Sequence, residues 1–204
     1  MEALKNSIGR QLKSLSLISV DDVNLKTICC YCKSLQKLNV ELIGFYDPSL
    51  DDYLDQNNNK ITNFCIPNLT SLSISKTKNN RDQLVMNANM LVNDIFSIMD
   101  GGKVKFLEFN GLGELDNEFF IKLFSSHAMN SFENEHKMIH NNISSLDLKN
   151  LNNITADLVH NYLLQPNMIS YINLDTCKLI NRRDNVHFGN FVTSKKLNCV
   201  VKWS

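Results

Sequence analysis

The apolar spacing L-x-x-L-x-L recurs down the whole chain, and no other feature limits the possible folds so strongly. Six full copies are Leu12, Leu15, Leu17; Leu35, Leu38, Val40; Leu69, Leu72, Ile74; Val104, Leu107, Phe109; Ile143, Leu146, Leu148; and Ile169, Ile172, Leu174. Leu197 and Val200 read as the start of a degenerate last copy. First positions lie from about 23 to about 39 residues apart, at or above the usual length of a short strand-plus-return repeat. In an extended chain alternate side chains face opposite ways. Positions four and six therefore predict the buried face of a strand, and positions three, five and seven its open face. A unit this small cannot bury its apolar side alone, so successive copies must stack around a shared core.

Between the strands a second apolar set at helical spacing predicts the return path. Examples are Val23, Leu25, Ile28; Leu91, Ile95, Ile98; Phe119, Phe120, Leu123, Phe124; and Ile154, Leu158, Tyr162, Leu163. Asp94 and Asp157 in these segments read as charges on solvated helix faces. The expected fold is α/β: a leucine-rich-repeat solenoid of about seven repeats, with a curved parallel sheet on the concave side and helices on the convex side. It forms a single domain over residues 1–204. Two insertions interrupt it, an acidic and then polar one at 46–60 and a His- and Asn-containing one at 125–142, both expected as loops. Leu4, Ile8 and Leu12 at helical spacing form a thin cover for the first repeat. Terminal repeats normally need a polar cover, so a longer chain or a covering partner is expected.

The segments Cys-Ile-Pro-Asn-Leu-Thr-Ser-Leu-Ser-Ile (65–74), Cys-Lys-Ser-Leu-Gln-Lys-Leu-Asn-Val (32–40), Leu-Asn-Asn-Ile-Thr-Ala-Asp-Leu-Val (151–159) and Ile-Asn-Leu-Asp-Thr-Cys (172–177) carry a family resemblance. The chain resembles the cysteine-containing leucine-rich repeats of F-box proteins. In those a Cys precedes or follows the strand and an Ile-Thr-Asp-like turn opens the helix. Cys32 and Cys177 match those positions, and Cys65 sits one residue further out. No F-box segment is visible, so the resemblance implies the substrate-recognition half of a ubiquitin ligase rather than its assembly half. The Ran-GTPase-activator type of repeat fits less well. Its Asn after the strand is replaced here by Val20, Thr77, Leu112, Leu151 and Cys177.

Composition excludes several function classes. Twenty-one Lys and Arg balance 21 Asp and Glu, so no global field draws the protein to nucleic acid or an anionic membrane. No signal-peptide run opens the chain and no stretch approaches the roughly 18 apolar residues of a membrane span, so an intracellular protein, cytoplasmic or nuclear, is expected. Six unevenly spaced cysteines, mostly beside apolar residues, point to reduced thiols. The Asn-X-Ser/Thr triplets at Asn68, Asn142 and Asn153 are then chance matches in an Asn-rich chain. Cys29-Cys30-Tyr31-Cys32 lacks the further ligands that a tetrahedral metal site needs, and reads as helix core. His136 and His140 could share a helix face but have no third ligand. Gly101-Gly102 and Gly111-Leu112-Gly113 are turn signals rather than a phosphate-cradling loop. No set of nucleophile, base and orienting group emerges, so neither an enzyme nor a cofactor is expected.

The concave sheet is where function is expected. Its early repeats present Ser14, Ser16, Ile18; Lys37, Asn39, Glu41; and Ser71, Ser73, Ser75. Later ones present Phe106, Glu108, Asn110; Ser145, Asp147, Lys149; and Tyr171, Asn173, Asp175. Aromatic anchors inside a polar rim are the usual make-up of a protein-binding hot spot. Phe106 and Tyr171 are the expected anchors, and Glu108, Asp147 and Asp175 would favour a basic segment of the partner. The expected function is a non-catalytic protein-interaction module. The alternative is a structural subunit of a large complex, contacting partners through its ends and convex helices.

Overall fold

A computed structural model describes residues 7–20, 23–42, 64–77, 88–101, 103–124, 142–164 and 169–204. Seven strands form one sheet in sequence order, every neighbouring pair parallel. They are β1 (Ser14–Val20), β2 (Lys37–Leu42), β3 (Ser71–Lys76), β4 (Phe106–Asn110), β5 (Ser145–Lys149), β6 (Tyr171–Asn173) and β7 (Val200–Lys202). Helices α1 (Ser7–Gln11), α2 (Leu25–Tyr31), α3 (Ala88–Met99), α4 (Asn117–Phe124), α5 (Ala156–Leu158) and α6 (Arg182–Ser194) alternate with them except between β2 and β3, where no helix lies among the described residues. Helix α5 runs on into a π-helical turn, Val159–Leu163. The two predicted insertions lie outside the described residues, apart from Asn142.

Register places the motif as its spacing predicts. Leu38, Leu72, Leu107, Leu146 and Ile172 lie side by side across five strands, as do Val40, Ile74, Phe109 and Leu148 across four. All nine are buried. In β1 the equivalent Leu15 and Leu17 are only partly buried, and Ile8 of α1 is 60 % exposed. Of the predicted thin cover, Leu12 packs against the core, Ile8 is exposed, and Leu4 lies outside the described residues. The last copy corrects the expected motif. Val200 pairs with Tyr171 and Val201 with Ile172, so Val200 occupies the outward third position and Val201 and Trp203 face the core. Reading Leu197 and Val200 as positions one and four set the copy one residue early, and a slip of one residue exchanges the two faces of a strand.

Two devices repeat in step with the motif. At its eighth position four of the six full copies, but not those at Leu42 and Lys76, turn the backbone left-handed: Ser19, Gly111, Asn150 and Thr176 have φ of 53°, 71°, 52° and 56°. Such a conformation costs an ordinary side chain about 1–2 kcal/mol, and each residue meets that cost differently. Gly111 has no Cβ, and one placed there would sit 2.8 Å from the Lys76 carbonyl oxygen. Asn150 and Thr176 bond to each other, the Thr176 hydroxyl donating to Asn150 Oδ1 at 2.9 Å. At the thirteenth position stands a helix-capping residue. Asn24, Asp116, Thr155 and Asn181 each accept a backbone N–H from the first turn that follows. Their short oxygen-bearing side chains satisfy donors that the helix itself leaves open.

The helices close the core from one face. Phe109 of β4 meets Phe119 and Phe120 of α4 edge-on at ring separations of 5.6 and 6.3 Å, and Phe96 of α3 completes the cluster at 5.2 Å from Phe119. Asp94 departs from the sequence reading. It is 4 % exposed, and Lys26 of α2 approaches it at 3.6 Å. The neighbouring helix covers a face that looked solvated when α3 was read alone. Helix α6 was not anticipated. Among its residues only Phe188 is fully buried, with Phe191 and Val192 partly so, an apolar stripe too sparse to register as a helical period. Its start is held by a capping box in which Asn181 and Asp184 bond reciprocally.

Candidate functional site: the open face of the sheet

Because alternate residues of each strand point away from the helices, seven strands bring one row of outward side chains into line at each odd motif position. The third-position row runs Ser14, Lys37, Ser71, Phe106, Ser145, Tyr171, Val200. Phe106 is 53 % and Val200 62 % exposed, while Tyr171 is half-buried between them. With strands spaced about 4.8 Å apart, Phe106, Tyr171 and Val200 form an apolar line at every second or next strand, broken only by the small Ser145. The predicted anchors thus share one row, and Val200 extends it. That residue was missed because the final copy was read out of register.

The fifth-position row is polar and mutually bonded. Ser73 Oγ donates to Glu108 Oε2 at 3.0 Å, Lys149 Nζ lies 3.4 Å from Glu108 Oε1 and 2.9 Å from Asp147 Oδ2, and Asn173 Nδ2 donates to Asp147 Oδ1 at 3.0 Å. This chain of contacts crosses β3 to β6. The acids foreseen as a ring around the aromatics are therefore partly neutralised by Lys149 from within the face. The hydrogen bond to Asp147 comes first among the influences that hold the Lys149 ammonium above its ordinary value, with attraction to Asp147 and Glu108 added and burial opposing them.

Asn173 is not accessible as expected. Only 2 % of it is exposed, and its Oδ1 has no hydrogen-bond partner among the described residues. Its role is to hold the Asp147 carboxylate. Asn110 faces the same way, and its Oδ1 accepts from Asn150 Nδ2 at 2.8 Å. Asp175, half-buried, accepts from the Ser204 hydroxyl. Seven of the eight predicted contact residues thus keep some exposure on one side of the sheet, and Asn173 supports them from beneath.

The cysteines lie elsewhere. Cys29, Cys32 and Cys177 are buried, and the Cys177 thiol donates to the Leu148 carbonyl at 3.3 Å. Burial pushes the thiols of Cys29, Cys30, Cys32, Cys177 and Cys199 upward, which keeps them protonated and poorly nucleophilic. Among the described residues no group of three His, Cys, Asp or Glu is placed to hold a metal ion, and no helix is long and apolar enough to cross a membrane. His136 and His140 lie outside the described residues. Comparison of the chain with protein-family models, curated proteins and solved structures gives no match.

Proposed function

We propose that the chain is a leucine-rich-repeat solenoid that recognises another protein on the open face of its sheet, without catalysis. The observation that carries this reading is the aligned row Phe106, Tyr171 and Val200 beside a bonded polar network. An exposed aromatic and an exposed Val in one row leave apolar area that a partner would desolvate, and residues next to a well-packed aromatic anchor exclude water from it. The network supports specificity. Glu108, Asp147 and Asp175 stand against Lys149 and, at the fifth position of β7, Lys202, which leaves one net negative charge, so a basic stretch of partner is favoured over an acidic one. Held in place by Ser73 and Asn173, these groups lose little freedom on binding.

The resemblance of the Cys-flanked strands to F-box-type repeats supports a narrower form of the proposal, in which the captured protein is the substrate of a ubiquitin ligase. A second reading is a structural subunit that contacts its complex through an end. Ile8, 60 % exposed on α1 beside the edge strand β1, favours it.

The test is affinity purification of the intact chain beside a Phe106→Ala/Tyr171→Ala double variant, with mass spectrometry of the proteins retained and circular dichroism to check the fold. Truncating a hot-spot aromatic costs about 2 kcal/mol or more, roughly thirtyfold in affinity for each. Loss of a retained protein from the folded variant is the expected result. An unchanged set overturns the open-face assignment and favours the end-on reading.

A further inference from the structure

Away from the sheet face, the outer side of α6 joins three features that its packing does not use. The first is charge. From Lys178 to Lys196 the chain carries Lys178, Arg182, Arg183, Lys195 and Lys196 against a single acid, Asp184, within a protein of zero net charge. Among the described residues none of the five forms an ion pair. Asp184 is committed to the capping box, accepting from the Asn181 backbone at 2.8 Å. The second is exposed apolar surface, with Val186 57 % exposed. On a helix of 3.6 residues per turn Val186 lies about 200° from the buried Phe188, so it points directly away from the core. The third is shape, a shallow open depression lined by Arg182, Arg183, Val186 and His187.

We propose that this face of α6 is a second docking site, and that its occupant is an acidic peptide segment with an aliphatic anchor. Carboxylates of such a segment meet Arg182 and Arg183, whose planar forks pair with them in bidentate geometry. Its aliphatic side chain fills the depression over Val186. A phosphate backbone would use the arginines but gain nothing from Val186. A lipid surface would need a broad apolar face, whereas the phenylalanines of α6 turn inward. The site is independent of the open-face reading, because it involves different residues and a partner of opposite charge.

Fluorescence anisotropy of a labelled peptide of Glu and Asp with Leu at every fourth position, titrated with the full chain, tests the proposal. Saturable binding is expected that weakens about tenfold in Arg182→Glu/Arg183→Glu and about threefold in Val186→Ser, and that Phe106→Ala leaves unchanged. Arg182→Gln/Arg183→Gln serves as the gentler variant should charge reversal disturb the helix start, and dichroism checks both. Absence of saturable binding, equal binding by the arginine variants, or tighter binding of oligothymidylate or phosphatidylserine vesicles with Val186→Ser neutral would each overturn it.

Discussion

Lys149→Met should weaken the fold and at the same time strengthen capture of a basic partner, a pairing of effects that only the open-face network predicts. Lys149 Nζ lies 2.9 Å from Asp147 and 3.4 Å from Glu108, and all three side chains are between a quarter and two-fifths exposed. Solvent at that exposure holds each pair to about 0.2–1 kcal/mol. Glu108 and Asp147 stand directly opposite each other on β4 and β5, so removing the lysine leaves like charges facing, which adds a few tenths of a kcal/mol or more. The total loss is about 1–2 kcal/mol. With a urea slope of about 2 kcal/mol per molar, the midpoint falls by about 0.5–1 M with the slope unchanged. Met keeps the aliphatic stem, so packing changes little.

The pH dependence has a definite sign. Because its partners hold the Lys149 ammonium above the ordinary lysine value of 10.5, folding is favoured by its charge from neutral pH up to that value. The advantage is lost as pH rises through the raised folded value. The stability gap between wild type and Lys149→Met is therefore constant near neutrality and narrows above about pH 10.5. Meanwhile the variant face carries two net charges at Glu108 and Asp147 in place of one, so a lysine-rich peptide captured there should bind a few-fold more tightly at low salt. A variant as stable as wild type at pH 7 would refute the network energetics. Weaker capture of the basic peptide would refute the electrostatic reading of the face.

Two further outcomes follow from the repeated devices and the buried thiols. Thr155→Ala removes both a helix cap and the acceptor for Asn117 Nδ2 at 2.9 Å in the preceding repeat, and should cost about 2 kcal/mol in urea unfolding; Thr155→Ser should recover most of it, and equal loss in both would show that the hydroxyl is not the agent. N-ethylmaleimide at pH 7, followed by peptide mass spectrometry, should leave Cys29, Cys32 and Cys177 unmodified until urea is added, while the partly exposed Cys30, Cys65 and Cys199 label first; rapid native labelling of Cys29 would contradict its burial.

Strand positions were legible because the motif spacing is itself a statement about sidedness. A Leu at position four and a Leu at position six can share a core only on a strand, and the buried rows of Leu38, Leu72, Leu107, Leu146 and Ile172 obey it. The same logic failed at Val200, where two adjacent valines let the pattern be read one residue early. Only pairing with Tyr171 decides which valine faces in. The capping residues Asn24, Asp116, Thr155 and Asn181 were present in the sequence at a constant offset. Only the turn at Thr155 was read as opening a helix; the other three were recognisable once their bonds to the first helical turns were placed.

Sequence alone determined where the first six strands lie and which of their side chains leave the sheet on the open side, because periodicity two and apolar spacing are local properties of the backbone. Tertiary structure decided what those side chains do. Asp94 is buried because α2 supplies Lys26, Asn173 is a prop because Asp147 stands beside it one strand away, and the acids of the open face are muted because Lys149 reaches both. Apart from the contact of Lys149 with Asp147 on its own strand, each of these depends on a neighbour far along the chain, and electrostatic and burial energies are set by such neighbours rather than by the residue itself.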